Sequence, residues 1–245
     1  MADGPGSGQV SSTQRVRSFL ASRFDPKSQL GLGLTMSLAI LALAVWALSG
    51  LLDAVLDNET LVRVDGVVES WFHVHATPTG LTIFNAITQL GAPVIVIVVI
   101  VVALYLWRKR EMLLLWNWLG ANLGGKVFEY VLKNSVHRSR PQYGAAFLNG
   151  HSYSFPSGHT MGSTVCYLLL AYIISSRADS NSRTRSIAIG AAVAIIVAVG
   201  FSRLYLGVHY PSDVLGGVAA GVAWLAVCGA TRRFVAARQA LSHAS

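Results

Sequence analysis

Six long apolar runs leave this chain few ways to fold. They cover residues 30–52, 91–107, 112–132, 158–175, 186–201 and 214–231. A helix needs about 20 predominantly apolar residues to cross the hydrocarbon core of a bilayer. Only helices and closed barrels satisfy their own backbone hydrogen bonds in that environment. The sequence therefore predicts an all-α, polytopic membrane protein whose six transmembrane helices lie within residues 30–231.

The composition agrees with a membrane protein. Of the 245 residues, 53% are hydrophobic and 12% are charged, whereas a soluble domain carries about 25% charged residues. Residues 1–29 are polar and basic and lack the apolar segment of a cleavable signal peptide. We expect them to form a disordered cytoplasmic tail, and residues 232–245 to form a basic one.

The positions of lysine and arginine predict the orientation of the helices. If the N-terminus is cytoplasmic, thirteen of the 19 cationic side chains lie on the cytoplasmic side. These are Arg15, Arg17, Arg23, Lys27, Arg108, Lys109, Arg110, Arg177, Arg183, Arg185, Arg232, Arg233 and Arg238. Cytoplasmic loops are enriched in such residues, so both termini are predicted to be cytoplasmic, in a bacterial inner membrane. This placement explains the net charge of +8 without a nucleic-acid partner.

Two other charged stretches bear on this topology. Residues 53–69 contain five acidic side chains and are predicted to be an outer loop. Lys126, Glu129 and Lys133 are spaced three and four apart in the third apolar run, so they share one helix face. Charged groups inside a membrane bundle face its interior, where they pair. We therefore expect this face to point inward.

Three polar segments interrupt the apolar chain at residues 133–141, 156–159 and 202–213. The first follows the third predicted span, the second opens the fourth, and the third connects the fifth and sixth. Because successive spans alternate in direction, all three segments are predicted to meet at the non-cytoplasmic face. The active site of the protein is expected there.

The side chains of these segments suit phosphate binding and phosphoryl transfer. Lys133, Arg140 and Arg203 are cations; arginine grips phosphate oxygens with a planar fork, and lysine acts as a point charge. Fixed positive groups of this kind stabilise the charge of a transferring phosphoryl group. They can do so without a metal, and no metal or other cofactor is predicted.

Ser157 and Gly158 open the fourth predicted span. A helix N-terminus presents free N–H groups and a favourable dipole to an anion, and Gly158 lets the backbone approach a phosphate closely. Ser157 also suits a purely structural role as an N-cap. The sequence alone leaves both roles open.

His209 and Asp213 are four residues apart in the third polar segment. They can share one helical turn, or Pro211 can place them in a tight turn before the helix. In either geometry Asp213 can accept a hydrogen bond from one ring nitrogen and leave the other as a nucleophile.

The three segments together resemble a known family. Lys-x6-Arg-Pro, Pro-Ser-Gly-His and Ser-Arg-x5-His-x3-Asp match, in order and without substitution, the signature motifs of the type 2 phosphatidic acid phosphatase superfamily. The resemblance covers about residues 88–225. It implies that Ser157 and Gly158 contact phosphate and that His209 forms a phosphohistidine. His159 would then protonate the leaving oxygen and later activate water.

The predicted function is therefore hydrolysis of a lipid phosphate by a metal-independent membrane phosphatase. Candidate substrates are phosphatidic acid, phosphatidylglycerol phosphate, polyprenyl pyrophosphate and a lipid A phosphate. A lipid phosphotransferase would use the same residues. A serine hydrolase built on Ser157 and a transporter are further alternatives, but the first leaves the three cations unexplained and the second needs polar sites near the midplane.

The remaining reactive side chains are interpreted as structural. His73, His75, His137 and His151 lack the spacing and carboxylate partners of a metal site. Cys166 and Cys228 lie in apolar runs and are expected to be small core residues. Arg138 lies within the first polar segment but outside its motif positions, and is predicted to contact a headgroup at the rim of the site.

Overall fold

The computed structural model describes residues 32–57, 59–144, 152–178 and 182–242, with side chains to residue 235. Most of these residues are helical, and none of them forms a β-strand. The α-helices are α1 (Leu32–Asp57), α2 (Glu59–His75), α3 (Pro78–Thr88), α4 (Pro93–Arg108), α5 (Met112–Val136), α6 (Gly158–Arg177), α7 (Ser182–Tyr205) and α8 (Pro211–Ser242). The predicted all-α class is confirmed for this part of the chain.

Four helical stretches in the described residues are long and apolar enough to cross a membrane. They are Leu32–Asp57, Pro78–Arg108, Ser182–Tyr205 and Pro211–Val235. Helices α5 and α6 occupy the predicted third and fourth spans and have 25 and 20 residues. They are more polar than these four stretches and are not among them. The six-span arrangement therefore stays a prediction.

Helix α6 is polar because it lies inside the helical bundle. Twelve of its 20 residues are buried, and they include Thr160, Ser163 and Thr164. The Thr164 hydroxyl donates to the Thr160 carbonyl at 2.8 Å. In contrast, α4 exposes branched apolar side chains such as Val96, Ile97 and Ile100, as expected of a surface in contact with lipid.

The stretch before the second predicted span is helical, contrary to the sequence-based interpretation of a loop. Residues 53–57 belong to α1, and α2 occupies Glu59–His75. Asp65 and Phe72 of α2 are buried, at 1% and 7% exposure. This helix alternates acidic and apolar residues, so its mean hydropathy is low and conceals the packed face. Its acidic side chains are therefore not all solvated.

Helix α3 extends the second predicted span toward the N-terminus. Its first turn is stabilised by Pro78 and by the Thr77 hydroxyl, which accepts a hydrogen bond from the Gly80 N–H at 3.1 Å. A proline is tolerated at this position because the first N–H groups of a helix have no intrahelical partner. A single 3-10 turn, Gln89–Gly91, then leads into α4.

Glycines bring α8 close to α6. A Cβ atom at Gly217 would lie 2.7 Å from the Ser157 carbonyl oxygen, and one at Gly221 would lie 2.8 Å from Thr164 Cβ. Small residues at helix interfaces allow such close approach in membrane proteins. This contact holds the start of α6 against the first turns of α8.

The charged face of α5 points toward the cavity described below and its charges are paired. Glu129 accepts from Lys126 Nζ at 2.9 Å and pairs with Lys133 Nζ at 3.2 Å. The predicted pairing on this face is confirmed. Cys166 is buried and Cys228 half-buried, and both are free thiols, as predicted.

The chain divides into two compact units. The smaller one comprises residues 1–39 and 229–245, and the larger one residues 40–228. In the smaller unit Arg233 donates to Ser37 Oγ at 2.5 Å, and Ser37 donates to the Gly33 carbonyl at 3.1 Å. The predicted N-terminal tail lies outside the described residues, and α8 continues through residues 232–242 of the predicted C-terminal tail. All three polar segments are described and lie within the larger unit, whereas residues 145–151, between the first and the second, lie outside the described residues.

Candidate active site

A cavity of about 370 Å³ lies where the three polar segments meet. Six of the eight predicted site residues line it: Lys133, Arg140, Gly158, His159, Arg203 and His209. The other two, Ser157 and Asp213, are fully buried at 0% exposure and do not line the cavity. The fold therefore brings residues about eighty positions apart in the sequence to one wall.

His209 lies in the short connection between α7 and α8 and is 2% exposed. The connection turns at Gly207, whose φ of +63° is a conformation that glycine adopts without a steric penalty. Helix α8 begins at Pro211, so His209 precedes the helix and Asp213 lies in its first turn. Of the two geometries that the sequence left open, the structure has the tight turn at Pro211.

The two ring nitrogens of His209 have different surroundings. Nδ1 lies 3.4 Å from Asp213 Oδ2 and 3.3 Å from Ser154 Oγ, and Nε2 lies 3.3 Å from Arg140 Nη1. A guanidinium only donates hydrogen bonds, so Nε2 is the acceptor and the proton is on Nδ1, toward the carboxylate. Burial lowers the pKa of His209 to about 4, although Asp213 opposes this shift. The ring is therefore neutral near pH 7.

Both carboxylate oxygens of Asp213 are held by the protein. Oδ2 accepts from Ser154 Oγ at 2.5 Å and from the Tyr210 N–H at 2.9 Å. Oδ1 accepts from Arg138 Nη1 at 2.7 Å. These contacts fix the carboxylate beside Nδ1 of His209.

Two of the predicted phosphate ligands, Arg140 and Arg203, are held by contacts with different parts of the chain. Arg140 donates from Nε to the Ser152 carbonyl at 2.7 Å and from Nη1 to the Val208 carbonyl at 3.0 Å. Arg203 donates from Nη1 to Thr88 Oγ1 at 2.8 Å. Its Nε is buried and has no hydrogen-bond partner among the described residues. A buried N–H donor without a partner is costly, and Arg203 is one of the residues that line the cavity.

The N-terminus of α6 opens onto the cavity. Ser157 occupies the N-cap position, but its side chain makes no capping hydrogen bond. Its hydroxyl instead accepts from Thr160 Oγ1 at 3.1 Å, away from the cavity. The N-cap role that the sequence left open is therefore not realised, and a buried Ser157 does not suit a serine nucleophile. Gly158 lies against the Glu129 carboxylate, where a Cβ atom would not fit.

Three buried polar residues next to this site, Asp65, Ser154 and Ser212, were not predicted from the sequence. Arg138 was predicted to contact a headgroup at the rim, and this is wrong. Its side chain is 11% exposed and bonds to Asp65 and Asp213. Asp65 lies in a segment that was predicted to be a loop, so its sequence context gave no indication of burial. Arg138, two residues before Arg140, was the only indication in the sequence of a further buried charge.

The other histidines of the described residues do not line this cavity. His75 lies in α2, with Nδ1 2.8 Å from the Trp71 carbonyl, and His137 ends α5 in a left-handed conformation. His151 lies outside the described residues. Among the described residues no group of three or more histidine, cysteine, aspartate or glutamate side chains is arranged to hold a metal ion.

Known proteins are similar to this chain in sequence and in fold. A model of the PAP2 superfamily matches residues 114–235. Phosphatidylglycerophosphatase B of Bacillus subtilis is 35% identical over 147 residues, which cover 57% of this chain and 69% of that protein. Decaprenylphosphoryl-5-phosphoribose phosphatase of Mycobacterium tuberculosis is 33% identical over 120 residues, covering 46% and 57% of the two chains.

The crystal structure of a transmembrane PAP2-type phosphatidylglycerolphosphate phosphatase from Bacillus subtilis has the same fold. It superposes with a TM-score of 0.64 at 26% identity, over 78% of this chain and 93% of that one. The apolar helices and this likeness identify an integral membrane protein. Sequence and structure together place the chain in the PAP2 superfamily, as the three polar segments predicted.

Proposed function

We propose that this protein is a metal-independent phosphatase that hydrolyses a lipid phosphate monoester or pyrophosphate through a phosphohistidine on His209. One observation carries the proposal. His209 directs Nδ1 to a fixed carboxylate and Nε2 to Arg140, in a cavity that Lys133, Arg140 and Arg203 also line. An oriented neutral imidazole beside an anion site is the arrangement that nucleophilic phosphoryl transfer needs.

In the first step Nε2 of His209 attacks phosphorus. The new P–N bond forms as the bond from phosphorus to the leaving oxygen breaks, and His159 donates a proton to that oxygen. The ring retains its Nδ1 proton and becomes positive, and Asp213 stabilises it. The three cations and the N-terminus of α6 hold the non-bridging phosphoryl oxygens, so that charge in the transition state is met by fixed dipoles and cations.

In the second step water attacks the phosphohistidine. His159, now neutral, accepts a proton from the water, and the P–N bond breaks as the new P–O bond forms. His209 returns to its neutral form with the proton still on Nδ1. Inorganic phosphate leaves the cavity, so the reaction consumes one water for each phosphate released.

The substrate class follows from the membrane and from the relatives. The two named relatives are a phosphatidylglycerophosphatase and a decaprenylphosphoryl-5-phosphoribose phosphatase. We propose a substrate of the same chemical kind, from the group of phosphatidic acid, phosphatidylglycerol phosphate, polyprenyl pyrophosphate and lipid A phosphate. The exposed apolar side chains of the helices support a substrate that lies in the membrane beside the cavity.

The proposed orientation has the cavity on the periplasmic side of a bacterial inner membrane and both termini in the cytoplasm. The fold supports this orientation, because the cavity residues and the predicted cytoplasmic cations lie at opposite ends of α5 and α6. Lys133 lies near the end of α5 and His159 at the start of α6, whereas Glu111 and Arg177, at the other ends of these two helices, form an ion pair. Three of the thirteen predicted cytoplasmic cations, Arg108, Lys109 and Arg110, lie next to Glu111 in the sequence.

The test is phosphate release by the purified full-length chain from a panel of these four lipid phosphates, with lipid products identified by mass spectrometry. We expect release of inorganic phosphate from at least one, and its loss in His209→Ala. Release of no phosphate from any of them contradicts the proposal. Phosphate that appears on an added acceptor lipid instead of in solution would identify a phosphotransferase.

A further inference from the structure

We infer that Asp65 and Arg138 are positioning residues that set the charge around the His209–Asp213 pair during phosphoryl transfer. The inference rests on the proposed function and deepens it. Neither residue lines the cavity. Asp65 also lies in α2, outside the segment that the superfamily model matches.

Arg138 links two buried carboxylates. Its Nη1 donates to Asp213 Oδ1 and to Ser212 Oγ, each at 2.7 Å, and its Nη2 donates to Asp65 Oδ2 at 2.7 Å. The guanidinium also stacks on the Tyr210 ring, 4.4 Å from its centroid. Burial disfavours its charge, but the two carboxylates raise the pKa of Arg138. It is therefore a permanent cation in this cluster.

Asp65 is fixed as firmly as Asp213. Its side chain is 1% exposed. Oδ1 accepts from the Ser212 N–H at 3.1 Å, and Oδ2 accepts from Ser212 Oγ at 2.5 Å in addition to Arg138. Ser212 immediately precedes Asp213, so α2 holds the first turn of α8 at the residue next to the catalytic carboxylate.

The charges of this cluster do not cancel in the resting enzyme. Two carboxylates share one guanidinium beside a neutral His209, so the cluster carries one net negative charge. A buried excess charge is unfavourable. The excess is removed when His209 bears the phosphoryl group, because its ring is then positive. On the opposite side of the ring, Arg140 and Arg203 line the cavity, where the phosphate itself balances them.

Asp65 has a specific part in this balance. If Arg138 alone contacted Asp213, it would neutralise the charge that the positive ring needs. The second carboxylate restores one net negative charge to the group while Arg138 still fixes the position of Asp213. The cluster is thus matched to the positive charge that develops on the ring in the transition state and not to the resting state, and only such differential stabilisation lowers a reaction barrier.

The test compares Asp65→Asn, Arg138→Gln and the double variant. Asp65→Asn leaves the cluster with no net charge, and the double variant regains one negative charge on Asp213. We expect Asp65→Asn to slow formation of the phosphoenzyme by about tenfold or more, the scale of coupling between charged groups in contact. The double variant should then be faster than Asp65→Asn, although it has lost one more native contact.

The rate is measured by rapid quench in a single turnover of a labelled lipid phosphate on the full chain in detergent. Affinity is measured separately as competitive inhibition by inorganic phosphate. Because neither residue lines the cavity, we expect the inhibition constant to change less than about threefold, so the effect is on the chemical step and not on binding. Asp57→Asn, which removes an exposed carboxylate from the end of α1, is the matched control and should keep the wild-type rate.

A double variant as slow as Asp65→Asn, or slower, would show that the cluster only supports the fold, and would overturn the inference. If Asp65→Asn does not fold, Asp65→Glu replaces it. This variant keeps the charge, so a tenfold loss of rate would count against the inference and a rate near wild type would support it. Failure of the proposed function looks different, because the wild-type chain would then form no phosphoenzyme.

Discussion

At the scale of single residues, the two histidines should fail in different ways when replaced. His209→Ala removes the proposed nucleophile and should abolish turnover of every substrate. His159→Ala removes the proposed proton donor of the first step, and proton donation is worth about 10²–10⁴-fold. The loss should be large with phosphatidic acid, whose leaving alkoxide is strongly basic. It should be small with p-nitrophenyl phosphate or a pyrophosphate, whose leaving groups need the proton less.

Steady-state rates of both variants on both kinds of substrate decide this assignment, once dephosphorylation has been shown not to limit the rate. Equal losses for His159→Ala on all substrates would remove its role as general acid. Activity that persists in His209→Ala but not in His159→Ala would require the two roles to be exchanged.

The protonation of His209 gives a second prediction at this scale. Burial lowers its pKa to about 4, so the neutral, nucleophilic form persists as the pH falls through the usual imidazole range. Only below about pH 4 should the charged form dominate. Histidine-selective ¹⁵N NMR of the chain in micelles, with His209→Gln to assign the signal, measures this directly. A His209 signal that titrates near pH 6.5 would contradict the environment described for Nδ1 and Nε2.

At the scale of helices, the contact between α6 and α8 should tolerate no added atoms. Gly217→Ala places a Cβ 2.7 Å from the Ser157 carbonyl oxygen. Overpacking of this kind costs about 1–3 kcal/mol. Gly190→Ala in α7 is the matched control, because nothing lies within 4 Å of its added Cβ. We expect a lower thermal midpoint for the first variant and an unchanged or higher one for the second.

Equal midpoints for Gly217→Ala and wild type would mean that the helices separate easily at this point. The variant also reports on the site, because Ser157 N–H donates to the Asp213 carbonyl at 2.9 Å across the same contact. A shift of the start of α6 should therefore lower the phosphatase rate together with stability.

The sequence predicted which residues meet at the cavity, but it did not predict helix α2 or the burial of Asp65. Six of the eight proposed site residues line one cavity. This was predictable because the three polar segments lie at ends of successive helices that alternate in direction, which brings them to the same face of the bundle. Helix α2 was read as a loop, since its alternating charges lower the hydropathy that marks a span. The burial of Asp65 depends on Arg138 and Ser212, which lie 73 and 147 positions away. No local pattern encodes a contact over that distance.

At the scale of the whole molecule, topology and metal use can be tested on intact cells and purified protein. Cysteine replaces Lys109 or Ser152, both exposed, in a chain whose Cys166 and Cys228 are changed to alanine. The cation distribution predicts that an impermeant thiol reagent labels position 152 and not position 109 from outside the cell. The reverse pattern would invert the orientation and place the cavity in the cytoplasm.

Activity is also expected to survive chelation. In the proposed mechanism, Lys133, Arg140 and Arg203 supply the charge stabilisation that a metal ion supplies in other phosphatases. Phosphate release is compared before and after treatment with EDTA, with a known metal-dependent phosphatase treated in parallel. Loss of activity that a divalent ion restores would contradict the proposal.

The central claim is that the phosphoryl group passes through His209. The direct test is acid-free quenching of the enzyme during turnover of a labelled lipid phosphate, followed by proteolysis and mass spectrometry under alkaline conditions that preserve phosphohistidine. We expect one labelled site, His209, and no label in His209→Ala or at His159. Turnover without a labelled histidine, or label on another residue of the wild-type chain, would contradict the account.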